Sequence, residues 1–391
     1  MSADTTGLIL TGGGARAAYQ VGVLSAVMRI RREAGAAPGN PFPVLVGTSA
    51  GAINAAALAT AADDMAGAVE RLVEVWRDFH ADQVYRTDSL GVVRTGARWV
   101  TMMSMGWALA KMRKLRPRSL LDNTPLHDLL ERVVHLERLP GLIAQGHLHA
   151  LAVSASSYSS GRHVTFYEAA AEPQPWIRSN RIATRCPITR PHLLASSAIP
   201  FLFPAVNLPI DGSHEWFGDG SMRQVAPISP AIHLDADRIL VIGAGRMREP
   251  PGPRALAPTG YPTIAQIGGH ALSSIFLDAL AVDAERLQRI NATLDLVPAR
   301  ERARAGLRPV ELLLISPTQR LDDIAARHVG ALPVSIRAML AGIGVSGANA
   351  GGGAALASYL LFESDFTREL LALGDADTMA RQDEVRAFFR L

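Results

Sequence analysis

One serine in this chain stands where a nucleophile would sit. Ser49 lies in Gly47-Thr-Ser-Ala-Gly51, between the β-branched apolar run that ends at Val46 and an alanine-rich stretch beginning at Ala50. This G-x-S-x-G spacing suits a tight, strained turn from strand to helix, because neighbours without side chains let the backbone pass closely. The helix that follows would aim its first amides at the place where negative charge develops. A serine hydroxyl is a weak nucleophile until a base takes its proton, and eleven histidines are available for that task.

The elements that must position the serine can be read from the first sixty residues. "GLIL" (7–10) reads as a strand, "TGGG" (11–14) as a glycine turn, and 15–35 as a helix closed by Gly35. A Pro/Gly/Asn loop leads to a strand over 42–47, and "AGAINAAALATAA" begins a second helix. Strand, turn, helix, strand, sharp turn, helix is the opening of a parallel sheet with right-handed crossovers. Further strands are expected at 148–155, 163–169, 238–245 and 308–316, and helices at 64–80, 122–135, 263–291 and 354–373. The Pro-rich stretch 248–262 marks an internal boundary between a core over 1–247 and an extension over 248–391 packed on it as one unit. "GANAGGGAA" (347–355) reads as a loop.

Two classes of site could use the upstream glycines. Gly12, Gly14 and Ala17 match the dinucleotide fingerprint G-x-G-x-x-G/A, but that fingerprint needs an acidic residue at the end of the second strand, where Gly47 and Thr48 stand. The other use is an oxyanion hole made of the successive amides of Gly12, Gly13 and Gly14, with the positive charge of Arg16 in the same loop. Adjacent parallel strands would bring that loop and Ser49 into one crevice. With a single strand ahead of the strand that leads into its elbow, Ser49 comes too early for an α/β-hydrolase, whose acid and histidine follow a later serine. His233 and His270 fall in helical patterns, and His149 and His163 border strands as satisfied core or edge residues.

"GGGARAAYQVGVL", "GTSAG" and "FGDGSM", in that order, resemble the patatin-like phospholipases, and "HLLASSAIPFLFPAV" (192–206) is similar to the segment that precedes the aspartate motif in that family. The resemblance implies a three-layer α/β/α sandwich with a mostly parallel central sheet, here with a C-terminal helical extension. It also implies a serine/aspartate dyad without histidine, with Ser49 as nucleophile and Asp219, between Gly218 and Gly220, as base. Two positions depart from the family pattern: Ala17 replaces a common loop glycine, and Ser221 replaces the Gly or Ala of the D-G-G/A motif. Asp219 also follows Trp216 and Phe217, whose apolar surroundings would raise its pKa and make it a better base. Asp211, in "IDGS", reads as a turn residue instead.

Composition limits the remaining classes. Of 391 residues 48% are hydrophobic and 19% charged, so the chain can bury a large core. A net charge of +3 is too small to argue for nucleic acid. The single cysteine, Cys186, rules out an internal disulfide or a cysteine-built zinc site and suits a reducing compartment. The start "MSADTTGLIL" lacks a basic n-region, and no 18-residue run is wholly apolar, so the expectation is a cytoplasmic protein without a secretory signal or membrane span. Residues 92–121 mix Trp99, Trp107 and several methionines with Arg and Lys, which suits peripheral contact with an anionic membrane face or a cap helix over an acyl pocket. The expected enzyme is a phospholipase A or lysophospholipase-type ester hydrolase acting on lipid or acyl esters, with neither metal nor cofactor. The alternatives are a broad carboxylesterase or thioesterase, and a catalytically idle lipid-binding scaffold.

Overall fold

The computed structural model describes residues 4–88, 119–171, 176–247, 261–345 and 353–391. Among these residues ten strands form one sheet in the order β10-β9-β1-β2-β3-β4-β6-β5, with β7 and β8 attached beside β3. They are β1 (Thr6–Leu10), β2 (Val44–Thr48), β3 (Ala150–Ser157), β4 (His163–Ala169), β5 (Ile177–Arg178), β6 (Arg181–Arg185), β7 (Val206–Ile210), β8 (Ser213–Asp219), β9 (Arg238–Ile242) and β10 (Glu311–Ile315). From β10 to β3 every neighbouring pair is parallel. Antiparallel pairing enters at β3/β4, β5/β6 and the β7/β8 hairpin. Asp211 and Gly212 form the two-residue turn of that hairpin, both with positive φ (48° and 75°), as a primed turn requires.

Side chains alternate across the sheet and each face is covered, giving the three-layer α/β/α sandwich. Leu8, Leu10, Leu45, Leu240, Ile242 and Ile315 pack on one side with α1 (Ala18–Glu33), α2 (Ala50–Ala59) and α3 (Met65–Arg77). Ile9, Val44, Val46, Ile239 and Val241 face the other way, onto Ala231, Leu280, Ala284 and Leu287. Strands buried on both faces read as unbroken apolar runs, which is why "GLIL" and "VLVG" could be recognised.

The chain beyond residue 261 supplies β10 to the edge of this same sheet, and its helix Ser364–Met379 lies against α1. Tyr19 of α1 donates to Asp377 Oδ2 at 3.0 Å. The helix expected over 354–373 is instead two, Ala354–Leu360 and Ser364–Met379. Glu363 is extended between them, and Phe362 turns inward beside Trp76, Phe79 and Tyr85. Ile264–Asp295 is long and apolar enough by length and composition to cross a membrane; Ala265, Phe276, Leu280 and Leu287 are packed into the two cores, while Ile264, Ile267 and Val282 are exposed. The stretch 92–121, expected to contact a membrane face or to cap an acyl pocket, lies outside the described residues except for 119–121. The Pro-rich boundary and the glycine-rich loop also fall largely outside them.

Candidate active site

β3 brings the two catalytic candidates together by offering one edge to two strands in succession. Along that edge β2 pairs in parallel as far as Thr48 opposite Ser154. β8 arrives from the opposite direction and pairs Asp219 with Ala155, the next residue of β3. β4 occupies the other edge throughout. The place a straight β2 would have given to its next residue is therefore held by Asp219, and Ser49 must turn out of the sheet beside it.

That turn is the strained elbow. Ser49 has φ 56° and ψ −132°, outside the regions an L-residue prefers, at a cost of about 1–3 kcal/mol. Side chains at Gly47 or Gly51 would collide with the backbone of Ala52 or of Leu10, respectively. The Ser49 amide donates to Ser196 Oγ at 2.9 Å, and Ser196 donates in turn to the Ser154 carbonyl at 2.6 Å. A buried hydroxyl thus ties the elbow to β3. Ser49 begins α2, so that helix's N-terminal amides lie next to it.

Asp219 is fully buried. Its Oδ1 accepts the Ser221 amide at 2.9 Å, and its Oδ2 has no hydrogen-bond partner. Burial pushes its pKa up from 3.8 to about 6, opposed by the side chain of Ser49 and by the amide and hydroxyl of Ser221. The carboxyl lies close enough to the Ser49 hydroxyl for that hydroxyl to favour its charged form. Gly220 packs against the Ser154 carbonyl and Gly218 under the Tyr158 ring, so both motif glycines permit close approach. None of the eleven histidines hydrogen-bonds Ser49 or Asp219. His233 stacks on Trp176, while His163 is buried with Nε2 unpartnered and is not the satisfied residue its position suggested.

The glycine loop is anchored at its start by Thr11. Its hydroxyl donates to the Ile242 carbonyl and accepts the Ala244 amide, and its own carbonyl accepts from Gln20. Within the described residues no acceptor takes the amides of Gly12, Gly13 or Gly14. Gly14 has φ +54° and lies against the Tyr359 carbonyl, so only glycine fits there. Arg16 corrects an expectation: its charge is not presented to the crevice. The guanidinium is 2% exposed, pairs with Asp322 at 2.5 Å, donates to Ser358 and the Ala355 carbonyl, and lies over the Tyr359 ring. A charge buried this deeply needs partners, and the C-terminal helices supply them.

An apolar cavity of about 50 Å³ opens at Ser49 and runs between α3 and the helix Thr124–Val133, lined by Ile53, Leu72, Trp76, Leu129, Ile199 and Phe362 among others. Its wall presents little that is polar. Asn54 accepts from Trp76 Nε1 at 3.0 Å and donates to Gln20, and Ser197 donates to the Leu193 carbonyl. The lining is apolar in character, with Ser49 at its edge.

Residue types and local spacing carried no signal for Ser196, for Phe276, which packs over Gly12, or for the partners of Arg16. Phe276 reaches Gly12 from a π-helical turn over Ser274–Asp278, a distortion often found at functional sites.

The sequence model described as Patatin, patatin-like phospholipase, matches residues 8–232. No curated protein sequence matches the chain significantly. Among solved structures, VipD from Legionella pneumophila is similar at 13% identity and a TM-score of 0.31, over 95% of this chain and 67% of VipD.

Proposed function

From the premise that this chain belongs to the patatin-like phospholipase family, we propose that it is a serine acyl hydrolase. It cleaves carboxylic esters of phospholipids or lysophospholipids through Ser49 and Asp219. Asp219 takes the Ser49 proton as Oγ attacks the ester carbonyl, and the oxyanion rests on the amides of Gly12, Gly13 and Gly14. The alcohol leaves with the proton, and water then cleaves the acyl-serine with Asp219 again as base. A lone carboxylate is a weak base toward a hydroxyl, so the prearranged amides and the end of α2 must supply much of the acceleration.

One observation carries this reading. Ser49 sits at the junction of a buried, unsatisfied carboxylate and an apolar cavity whose polar wall groups are already paired. The test is hydrolysis of phosphatidylcholine, lysophosphatidylcholine and a chain-length series of nitrophenyl esters by the parent, Ser49→Ala and Asp219→Ala. Cleavage of the lipids by the parent alone is expected. Cleavage of soluble esters without lipids would move the reading to a broad carboxylesterase. Undiminished turnover by Ser49→Ala would remove it altogether.

A further inference from the structure

Two buried polar atoms of this site lack a protein partner: Asp219 Oδ2 and Ser221 Oγ. Ser221 is 4% exposed and lies two residues after Asp219. Its amide is already committed to Asp219 Oδ1 at 2.9 Å. Its hydroxyl stands beside the Asp219 carboxyl, where it favours the charged form without closing a hydrogen bond to it. The same hydroxyl covers the oxyanion loop, since a Cβ built at Gly12 would collide with Ser221 Oγ. It therefore lies beside both the base and the first glycine of the loop. A hydroxyl buried there unpaired costs stability, and such a group in a native site calls for a reason, of which a role in the reaction is one.

The second half of the proposed cycle has such a use. Once Ser49 is acylated its oxygen carries no hydrogen, and Asp219 Oδ2 is free to face a water. A buried water is fixed by about three hydrogen bonds, so one carboxylate oxygen does not orient it. We propose that Ser221 Oγ and Asp219 Oδ2 together hold the water that hydrolyses the acyl-Ser49 ester, which makes Ser221 a catalytic residue of deacylation. The water oxygen bonds to the acyl carbon, one of its protons passes to Asp219 Oδ2, and the bond from that carbon to Ser49 Oγ breaks. Ser49 Oγ then recovers the proton from Asp219, and the carboxylic acid departs. Ser221 stays neutral throughout, hydrogen-bonded to the attacking oxygen. This inference rests on the acyl-hydrolase reading above.

The experiment is pre-steady-state hydrolysis of a medium-chain nitrophenyl ester, combined with intact-protein mass spectrometry, on the parent, Ser221→Ala and Ser221→Gly. Both variants remove the hydroxyl, and the aspartate motif of the resembled family carries just these two residues. The expected result is a burst of nitrophenol at a rate within about twofold of the parent, followed by turnover slowed about tenfold or more. Acylated Ser49 should accumulate in both variants. Unchanged turnover in both would overturn the inference while leaving the dyad reading in place, as would burst and turnover slowed by one common factor. A parent that neither turns over ester nor acquires an acyl group on Ser49 would instead overturn the dyad reading, and this inference with it.

Discussion

Replacing Asp219 by asparagine should separate stability from activity, and the pH dependence of the separation is fixed by the site. In the folded chain burial raises the Asp219 pKa from 3.8 to about 6. Between those values the folded state binds more protons than the unfolded chain, so the stabilisation from the protonated carboxyl is complete below about 4 and is lost as pH rises through 6. A shift of about two units corresponds to roughly 3 kcal/mol at neutral pH, as an upper figure for a fully buried group. Asparagine keeps an oxygen for the Ser221 amide and carries no charge, so the variant escapes this loss. Its new NH2 group faces the unpartnered Oδ2 position and gives back part of the gain. Urea denaturation of parent and Asp219→Asn at pH 4.5 and pH 8 measures the difference. The variant should gain about 1–3 kcal/mol over the parent at pH 8 and much less at pH 4.5, while losing ester hydrolysis. A difference independent of pH, or a variant less stable at pH 8 than at pH 4.5 relative to the parent, would refute the reasoning.

The same carboxylate predicts that kcat/KM falls about tenfold per pH unit below roughly 6, because protonated Asp219 cannot accept the Ser49 proton; an acid limb near 4 in the pH profile would contradict it. Trp76→Leu should widen the acyl cavity and shift the preferred ester toward longer chains, read from a nitrophenyl ester series; an unchanged optimum would show that the chain binds elsewhere. Asp322→Ala should destabilise the fold by about 3 kcal/mol, because it strips the buried Arg16 of its carboxylate. Arg16→Met combined with Asp322→Leu should recover much of that loss in thermal melts, and failure to recover would mean the pair is not the cause.

Local chemistry was readable in the sequence, and long-range placement was not. β1, β2 and their two turns stand within two residues of where the apolar runs and glycines put them, because both signals are confined to neighbours in the chain. The two halves of the proposed dyad are 170 residues apart, and Asp219 was singled out by the family-like motif together with the apolar Trp216 and Phe217 just before it. Its physical reason, two strands meeting head-on along one edge of β3, is a property of topology. Arg16 shows the limit most clearly. Its loop suggested a charge at the oxyanion, but its partner Asp322 lies 306 residues away and turns the guanidinium toward the C-terminal helices. The break after Leu360 had a similar cause, since the alanine-rich pattern favours a continuous helix and the aromatic cluster around Phe362 overrides it. Ser196 could not be picked out from type alone, because a serine in a helix usually faces solvent or its own backbone.

The proposed chemistry requires Ser49 to be a nucleophile activated by Asp219. Labelling with a fluorophosphonate probe, followed by peptide mapping, measures both at once. The expected result is one modified residue, Ser49, in the parent, with labelling slowed at least about a hundredfold in Asp219→Asn. Modification at another serine, or equal labelling of Ser49 in the variant, would contradict it.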